Sequence, residues 1–197
     1  MHLSQRAIPQ RAIPQRIVIV GTSGTGKTTL ARQVGQQLGM AHVELDALHW
    51  EPNWVAAPLE VFRVRVAEAL KGDRWVVDGN YSSVRDLVWG RADAVVWLDY
   101  PFGLVLWRSL RRAVWRSATG AELWSGNRET WRQTFFSRNS ILLWVLQTYH
   151  RRRREYPMLF SQPEYAHLTV VRVRSPREAQ DWLEEVRAQN NVNGMPS

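Results

Sequence analysis

The chain contains no cysteine. That absence excludes a disulfide-stapled scaffold, a zinc centre built on thiolates, and a thiol nucleophile. Lysine is nearly missing too: Lys27 and Lys71 are the only two among 26 basic residues. No apolar run approaches the ~18 residues of a membrane span; the best candidate, Ile141 to Leu146, is far too short. The opening MHLSQRAIPQ lacks the apolar centre of a secretory signal, so the expected location is the cytoplasm. The rest is ordinary globular composition, with 197 residues, 45% hydrophobic and 22% charged. A chain of this length makes one domain and can bury ~70% of its unfolded surface.

The basic residues that are present are overwhelmingly arginine, the side chain suited to planar, bidentate binding of phosphate. They are also unevenly placed. Residues 108–154 hold 11 arginines against Glu122 and Glu129, a surplus of nine positive charges, while the formal net charge of the whole chain is +8. Nearly all of the excess sits in one quarter of the protein. Such a patch expects a polyanion: nucleotide phosphates, nucleic acid or an acidic partner.

The segment RAIPQ occurs twice in tandem, at 6–10 and 11–15. A proline-containing five-residue repeat cannot pack on itself, so 1–15 reads as a loose tail, with 16–188 as the domain and 189–197 as a second tail. Five Val-rich runs without clean alternation read as strands covered on both faces: Arg16–Val20, His42–Leu45, Arg74–Val77, Ala94–Leu98 and Leu168–Val173. Helical patterns fill the gaps. Lys27–Leu38 ends at Gly39, and Leu59–Leu70 puts Phe62, Val66 and Leu70 on one stripe. Phe102–Trp115 carries Leu106, Trp107, Leu110 and Val114 on one side and Arg108, Arg111, Arg112 and Arg116 on another. Asn139–Tyr156 follows, and Pro176–Ala188 opens with the capping box Ser175-Pro176-Arg177-Glu178. Strands alternating with helices predict an α/β fold with a five-stranded parallel sheet. Residues 117–138 break the alternation and read as a helical, arginine-rich insertion.

The strongest local signal is Gly21-Thr22-Ser23-Gly24-Thr25-Gly26-Lys27-Thr28, followed by Thr29, which matches G-x-x-x-x-G-K-[ST] between a β-run and a helix. Glycines let backbone N–H groups close around phosphate oxygens, and the following helix aims its positive end at the anion. Lys27 is placed to reach the β- and γ-phosphates, and the Thr28 hydroxyl to ligate Mg²⁺. Three strand ends carry an aspartate toward the same crevice: Asp46, Asp78 and Asp99. A carboxylate there can hold Mg²⁺ directly or through water, accept a proton from an acceptor hydroxyl, or simply cap a helix or turn. Asp99, ahead of Tyr-Pro, fits the turn reading best.

The order of phosphate loop, HVELDALHWEPNW, RWVVDGNY, ADAVVWLDYP and an arginine-rich helical stretch resembles the adenylate-kinase-related bacterial P-loop proteins labelled DNA topology modulation protein-like, within the nucleoside and nucleotide kinase type of P-loop NTPase. The resemblance covers about residues 16–188. Val77-Asp78-Gly79-Asn80-Tyr81 is similar to the Asp-Gly-Phe-Pro-Arg turn of nucleoside monophosphate kinases, with Asn80-Tyr81 replacing Phe-Pro and Arg85, one helical turn on, in place of the arginine. Leu45-Asp46-Ala47-Leu48-His49 is similar to the acceptor-binding strand end of gluconate kinase. The resemblance implies ATP and Mg²⁺ as cofactors, with Mg²⁺ at Thr28 and Asp78. Asp46, His49, Trp50, Asn80 and Arg85 would lie around an acceptor. A closing lid would bring Arg108, Arg112, Arg128, Arg132 and Arg138 to the phosphates. It also implies that the purine lies between the lid helix and Arg174-Ser175-Pro176.

The four arginines 151–154 point to all sides of a helix and cannot converge on one phosphate, so they read as a solvated helix end or a weak polyanion contact. Of the 11 tryptophans, Trp75, Trp97 and Trp107 read as core, and Trp50 and Trp54 as candidates for stacking on an acceptor. The leading expectation is an ATP- and Mg²⁺-dependent phosphotransferase acting on a small hydroxylated or nucleotide-like acceptor. An NTP-dependent nucleic-acid-binding protein and a regulatory nucleotide switch are the alternatives.

Overall fold

A computed structural model describes residues 13–120, 122–127 and 141–193. In chain order the strands are β1 (Arg16–Gly21), β2 (Ala41–Glu44), β3 (Trp50–Glu51), β4 (Val55–Ala56), β5 (Trp75–Asp78), β6 (Ala94–Leu98) and β7 (Thr169–Val173). The helices are α1 (Lys27–Leu38), α2 (Leu45–His49), α3 (Leu59–Ala69), α4 (Arg85–Trp89), α5 (Phe102–Thr119), α6 (Ile141–Phe160) and α7 (Pro176–Asn193).

The five Val-rich runs form one parallel sheet in the order β2-β5-β1-β6-β7. Both faces are covered, which is why the runs do not alternate. On one face Ile17, Ile19, Val76 and Val96 pack under α1 (Leu30, Val34, Leu38) and α7 (Leu183, Val186). On the other, Val18, Val77, Val95 and Trp97 pack under α3 (Phe62, Val66), Leu70, α4 (Val88, Trp89) and Tyr156. Ile13 is buried with the first group, so packed chain begins ahead of Arg16. Strand order reverses at β1, and the crevice at the carboxyl ends beside such a reversal is where open α/β sheets bind ligands. The register brings Glu44 level with Asp78, and Gly21 level with Leu98.

Several boundaries differ from the sequence expectation. The second strand stops at Glu44, and Leu45-Asp46 open α2 instead of ending a strand. The helix expected to stop before Pro157 runs through it to Phe160, and the last helix reaches Asn193. Its capping box forms: the Glu178 N–H donates to Ser175 Oγ at 3.1 Å, and Glu178 Oε2 accepts from the Arg174 N–H at 2.9 Å.

The largest correction concerns α5. Its expected apolar side does not face the core: Trp107 is 63% exposed and Val114 43%. The buried stripe is Val105, Ser109 and Ala113. The reason is proximity. This helix lies against the Gly21–Thr28 loop, and a Cβ on Gly24 would sit 2.1 Å from Ser109 Oγ, so only small side chains fit between the two backbones. Trp75 and Trp97 are core, as expected, and Trp107 is not. The segment expected as an insertion from residue 117 starts inside α5, which closes at Gly120, and continues as a short turn over Trp124–Gly126. Among the described residues no helix is long and apolar enough to cross a membrane.

Candidate active site

The loop from Gly21 to Thr28 joins β1 to α1 at the centre of the sheet. Gly24 holds φ +86°, a conformation that a side chain would strain, in addition to the clash with Ser109. Thr25 Oγ1 donates to Thr22 O at 2.8 Å, and the Lys27 ammonium donates to the same carbonyl at 3.3 Å. The first turn of α1 has no side-chain cap and no acidic residue, so its leading N–H groups and positive dipole end stay available to an anion. Thr22 is buried within the loop, and Thr29 is exposed on the first turn.

Arginines close around this loop from two helices. From α5, Arg112 donates to Ser23 Oγ at 2.7 Å, while Arg108 reaches Thr25 O at 3.4 Å and lies over the Tyr100 ring. Ser109 between them donates to Ser23 O at 3.2 Å. From α6, Arg152 donates to Gly21 O at 2.8 Å. Burial, and then the Arg152 charge, pull the Lys27 pKa down from 10.5 to about 8, with Asp46 and Asp78 opposing. Arg108 and Arg112, two of the expected lid arginines, therefore lie against the loop. Arg128, Arg132 and Arg138 lie outside the described residues.

The helix end expected at 151–154 is corrected by the length of α6, which places these residues in mid-helix; Arg151, Arg153 and Arg154 are exposed, as expected of a solvated stretch. They do diverge, as four consecutive helical residues must. Arg152 goes to the loop. Arg153 Nε pairs with Asp99 Oδ1 at 2.8 Å, and Arg151 pairs with Glu155 at 3.5 Å. Asp99 also binds Arg172 of β7, whose guanidinium lies 4.6 Å from the centroid of the Trp97 ring. Asp99 is thus neither turn chemistry nor a site carboxylate: it is a buried tie joining β6, β7 and α6, one residue away from Arg152.

Asp78 is buried at the end of β5. Its Oδ2 accepts from the Thr28 hydroxyl, and its Oδ1 lies 3.0 Å from His42 Nε2 on the neighbouring strand. Gly79 follows at φ +123°, with Leu45 so close that a Cβ would fall 2.9 Å from it. Glu44 Oε1 lies 3.4 Å from the Thr28 hydroxyl, and burial together with the Asp78 carboxylate raises the Glu44 pKa. A hydroxyl flanked by carboxylates is a set of hard oxygen donors that suits Mg²⁺. Among the described residues no three His, Cys, Asp or Glu side chains are grouped to hold a metal by themselves. Such a set fits an ion that takes its remaining ligands from phosphate and water.

Asp46 lies on α2, where the Tyr81 hydroxyl donates to its Oδ1 at 2.5 Å. Burial and the Asp46 charge push the Tyr81 pKa far up, so the phenol stays a donor. His49 packs between Trp50, Phe62 and Tyr81, at centroid distances of 4.8, 4.9 and 4.5 Å. Burial lowers the His49 pKa, and its Nδ1 is buried without a partner. Trp50 contacts Trp54 edge-on, and Trp54 contacts Trp124 in the same way. The small β3–β4 hairpin carrying Trp50 and Trp54 is gripped by the segment after α5. Ser125 donates to Trp50 O, Asn127 Nδ2 to Glu51 O, and the Trp54 N–H to Asn127 Oδ1, at 2.7 to 2.9 Å.

The expected acceptor residues therefore fall into two adjoining groups. Asp46, His49 and Trp50 gather around Tyr81. Asn80 and Arg85 line a cleft against α6, where Asn80 Nδ2 donates to the Tyr156 hydroxyl at 3.1 Å and Arg85 stacks on Trp89. Sequence reasoning missed Arg152, Glu44, His42 and Tyr81. Glu44 had a signal, since it stands two residues before Asp46 at the end of a strand. Arg152 had none that distinguished it from its three arginine neighbours.

A family model described as "ATPase family associated with various cellular activities (AAA)" matches residues 17–78, from β1 through the loop to Asp78. No curated protein sequence matches the chain significantly. Among solved structures, a gluconokinase from Sinorhizobium meliloti 1021 is 21% identical, with a TM-score of 0.50 over 94% of this chain and 100% of that one. A shikimate kinase from Acinetobacter baumannii in complex with shikimate is 18% identical, with a TM-score of 0.53 over 94% and 97%. A shikimate kinase from Bacteroides thetaiotaomicron is 14% identical, with a TM-score of 0.50 over 91% and 99%. The loop, the strand order and this end-to-end superposition agree: the chain has the P-loop kinase fold.

Proposed function

We propose that this protein transfers the terminal phosphoryl group of ATP to a hydroxyl of a small metabolite. The observation that carries the reading is the convergence of Lys27, Arg112 and Arg152 on the Gly21–Thr28 loop, with a carboxylate held by Tyr81 nearby. Gluconokinase and shikimate kinase, named among the similar structures, support a small acceptor.

The loop amides and Lys27 would bind the β- and γ-phosphates. Thr28 and Asp78 would hold Mg²⁺, with Glu44 beside them; the ion, when bound, neutralises charge on the phosphate oxygens. Asp46 takes the proton of the acceptor hydroxyl as its oxygen bonds to the γ-phosphorus and the bond to the β–γ bridging oxygen breaks, leaving ADP. Tyr81 fixes one oxygen of Asp46, so the other is oriented toward the acceptor. Arg112 and Arg152 stabilise charge spread over the phosphoryl oxygens, a role in which one arginine is worth ~10³-fold or more. Arg128, Arg132 and Arg138 complete the proposal as further donors from the segment after α5.

ATP turnover with a panel of nucleosides, gluconate and shikimate tests the reading. It expects acceptor-dependent ADP and a phosphorylated product. Asp46→Asn should retain ATP affinity and lose transfer by ~10²–10⁴-fold, as removal of a general base does. Full transfer by that variant overturns the acceptor assignment. Turnover stimulated by DNA alone, and falling steeply with salt, overturns the metabolite reading.

A further inference from the structure

The geometry points to an acid as the acceptor: we propose that the cleft between Asn80–Arg85 and α6 takes an anionic group, a carboxylate or a phosphate ester, so that neutral sugars and nucleosides are rejected. The inference deepens the phosphotransfer reading above and rests on it only for the identity of the occupant as an acceptor.

The cleft has a volume of about 510 Å³, the size of a small-metabolite site. Charged side chains on its wall are Arg85, Arg151, Arg152 and Glu155. Arg151 and Glu155 answer each other in an exposed ion pair. Arg85 and Arg152 are left as a surplus of two positive charges. Arg85 is fixed by stacking on Trp89, and its Nε is buried with no acceptor. On the same wall, Asn80 Oδ1 is buried with no donor, while the amide nitrogen is held by Tyr156. A buried donor on a cation and a buried acceptor, both left unmatched, are costly in a finished protein interior. A hydroxy acid or sugar phosphate satisfies both, its anion accepting from Arg85 and a hydroxyl donating to Asn80. Met158 and Leu159 give the carbon skeleton an apolar flank.

The cleft also connects to the transfer chemistry through the chain itself. Arg152 binds Gly21 O at the start of the phosphate loop, and Tyr81, next to Asn80, holds Asp46. An acceptor anchored by its anion in the cleft therefore extends toward the carboxylate and the loop. A neutral analogue could still donate a hydroxyl to Asn80 but would leave the Arg85 guanidinium without an anion, and a site rejects a ligand that leaves its polar groups unmatched.

The test is calorimetric, on the full chain with Mg²⁺ and a non-hydrolysable ATP analogue saturating the phosphate loop. Glucuronate and glycerate are each titrated beside their methyl esters, and ribose 5-phosphate beside ribose. At least one acid should bind tenfold or more tighter than its neutral partner, and whether it belongs to the carboxylate or the phosphate arm identifies the anion. Arg85→Gln should remove that advantage without changing affinity for the ATP analogue. Ser82→Glu, an exposed change at the rim, should weaken the acid and spare the neutral partner if Arg85→Gln proves unstable. Equal binding of acids and neutral partners, no binding by any acid, or acid binding indifferent to both substitutions overturns the inference. Selective acid binding in this titration, with no phosphorylated product when the same acid is then incubated with ATP and Mg²⁺, would keep the anion site and refute the phosphotransfer reading.

Discussion

Lys27 offers the sharpest test of the electrostatics around the loop. Its pKa is about 8 against an ordinary 10.5, so holding its charge in the ligand-free protein costs about 3 kcal/mol at 1.36 kcal/mol per unit. Bound triphosphate would replace the missing solvation with negative charge and return the pKa toward its ordinary value. Binding then selects the protonated amine, so affinity falls as pH rises through the depressed pKa. With that pKa, roughly 90% of the free protein carries the charge at pH 7 and roughly 10% at pH 9. The expected loss in affinity across this range is about tenfold. At pH 9 each binding event should take up about 0.9 proton, read from calorimetry in two buffers of different ionisation enthalpy. With Mg²⁺ bound to it, the terminal phosphate of ATP is already ionised over this interval and adds nothing to the slope. Lys27→Arg, which cannot lose its proton, should bind with a flat profile. A wild-type protein whose affinity is unchanged from pH 7 to 9, with no proton uptake at pH 9, would refute the desolvation argument.

Two further outcomes follow from other contacts. Asp99→Asn leaves Arg153 and Arg172 without their carboxylate and should cost about 2–3 kcal/mol in urea unfolding. That is below the ~3–5 kcal/mol of fully buried pairs, because both guanidiniums keep access to water. The same variant should weaken ATP binding, since Arg152 is the neighbour of the residue released. Gly24→Ala puts a Cβ against Ser109 Oγ and within 2.9 Å of the Val105 carbonyl at φ +86° and should destabilise the protein by ~1–3 kcal/mol while weakening nucleotide affinity; adding Ser109→Gly should recover only the part due to the serine and leave the parts due to the carbonyl and to backbone strain.

The sheet was readable in the sequence because Val-rich runs without alternation have one physical meaning, burial on two faces. The phosphate loop was readable because its glycines and Lys27 are demanded by backbone geometry and charge at fixed spacing. Errors arose where tertiary packing outweighed local pattern. On α5 the periodicity of Trp107 and Val114 suggested a core face, but the loop at Gly24 admits only Val105, Ser109 and Ala113. On α6 the expected end at Tyr156 is overrun, and the helix passes through Pro157 to Phe160, which places Arg152 and Arg153 in mid-helix. Asp99 is set apart from Asp46 and Asp78 by the Tyr-Pro that follows it, but its role as a tie comes from long-range contact with two arginines and could not be read from the sequence. Tyr81 stands in a turn that the sequence flags, but its partnership with Asp46 spans 35 residues of sequence and leaves no local mark.

The grip on the β3–β4 hairpin has a consequence for how such a chain can change over evolutionary time. Asn127 and Ser125 hold residues 50, 51 and 54 only by main-chain groups. A clasp of that kind is blind to the side chains it carries. Trp50 could be exchanged for another residue without undoing it, whereas Trp54 also meets the Trp124 ring, so new recognition surfaces could be sampled at position 50 on a frame that stays in place.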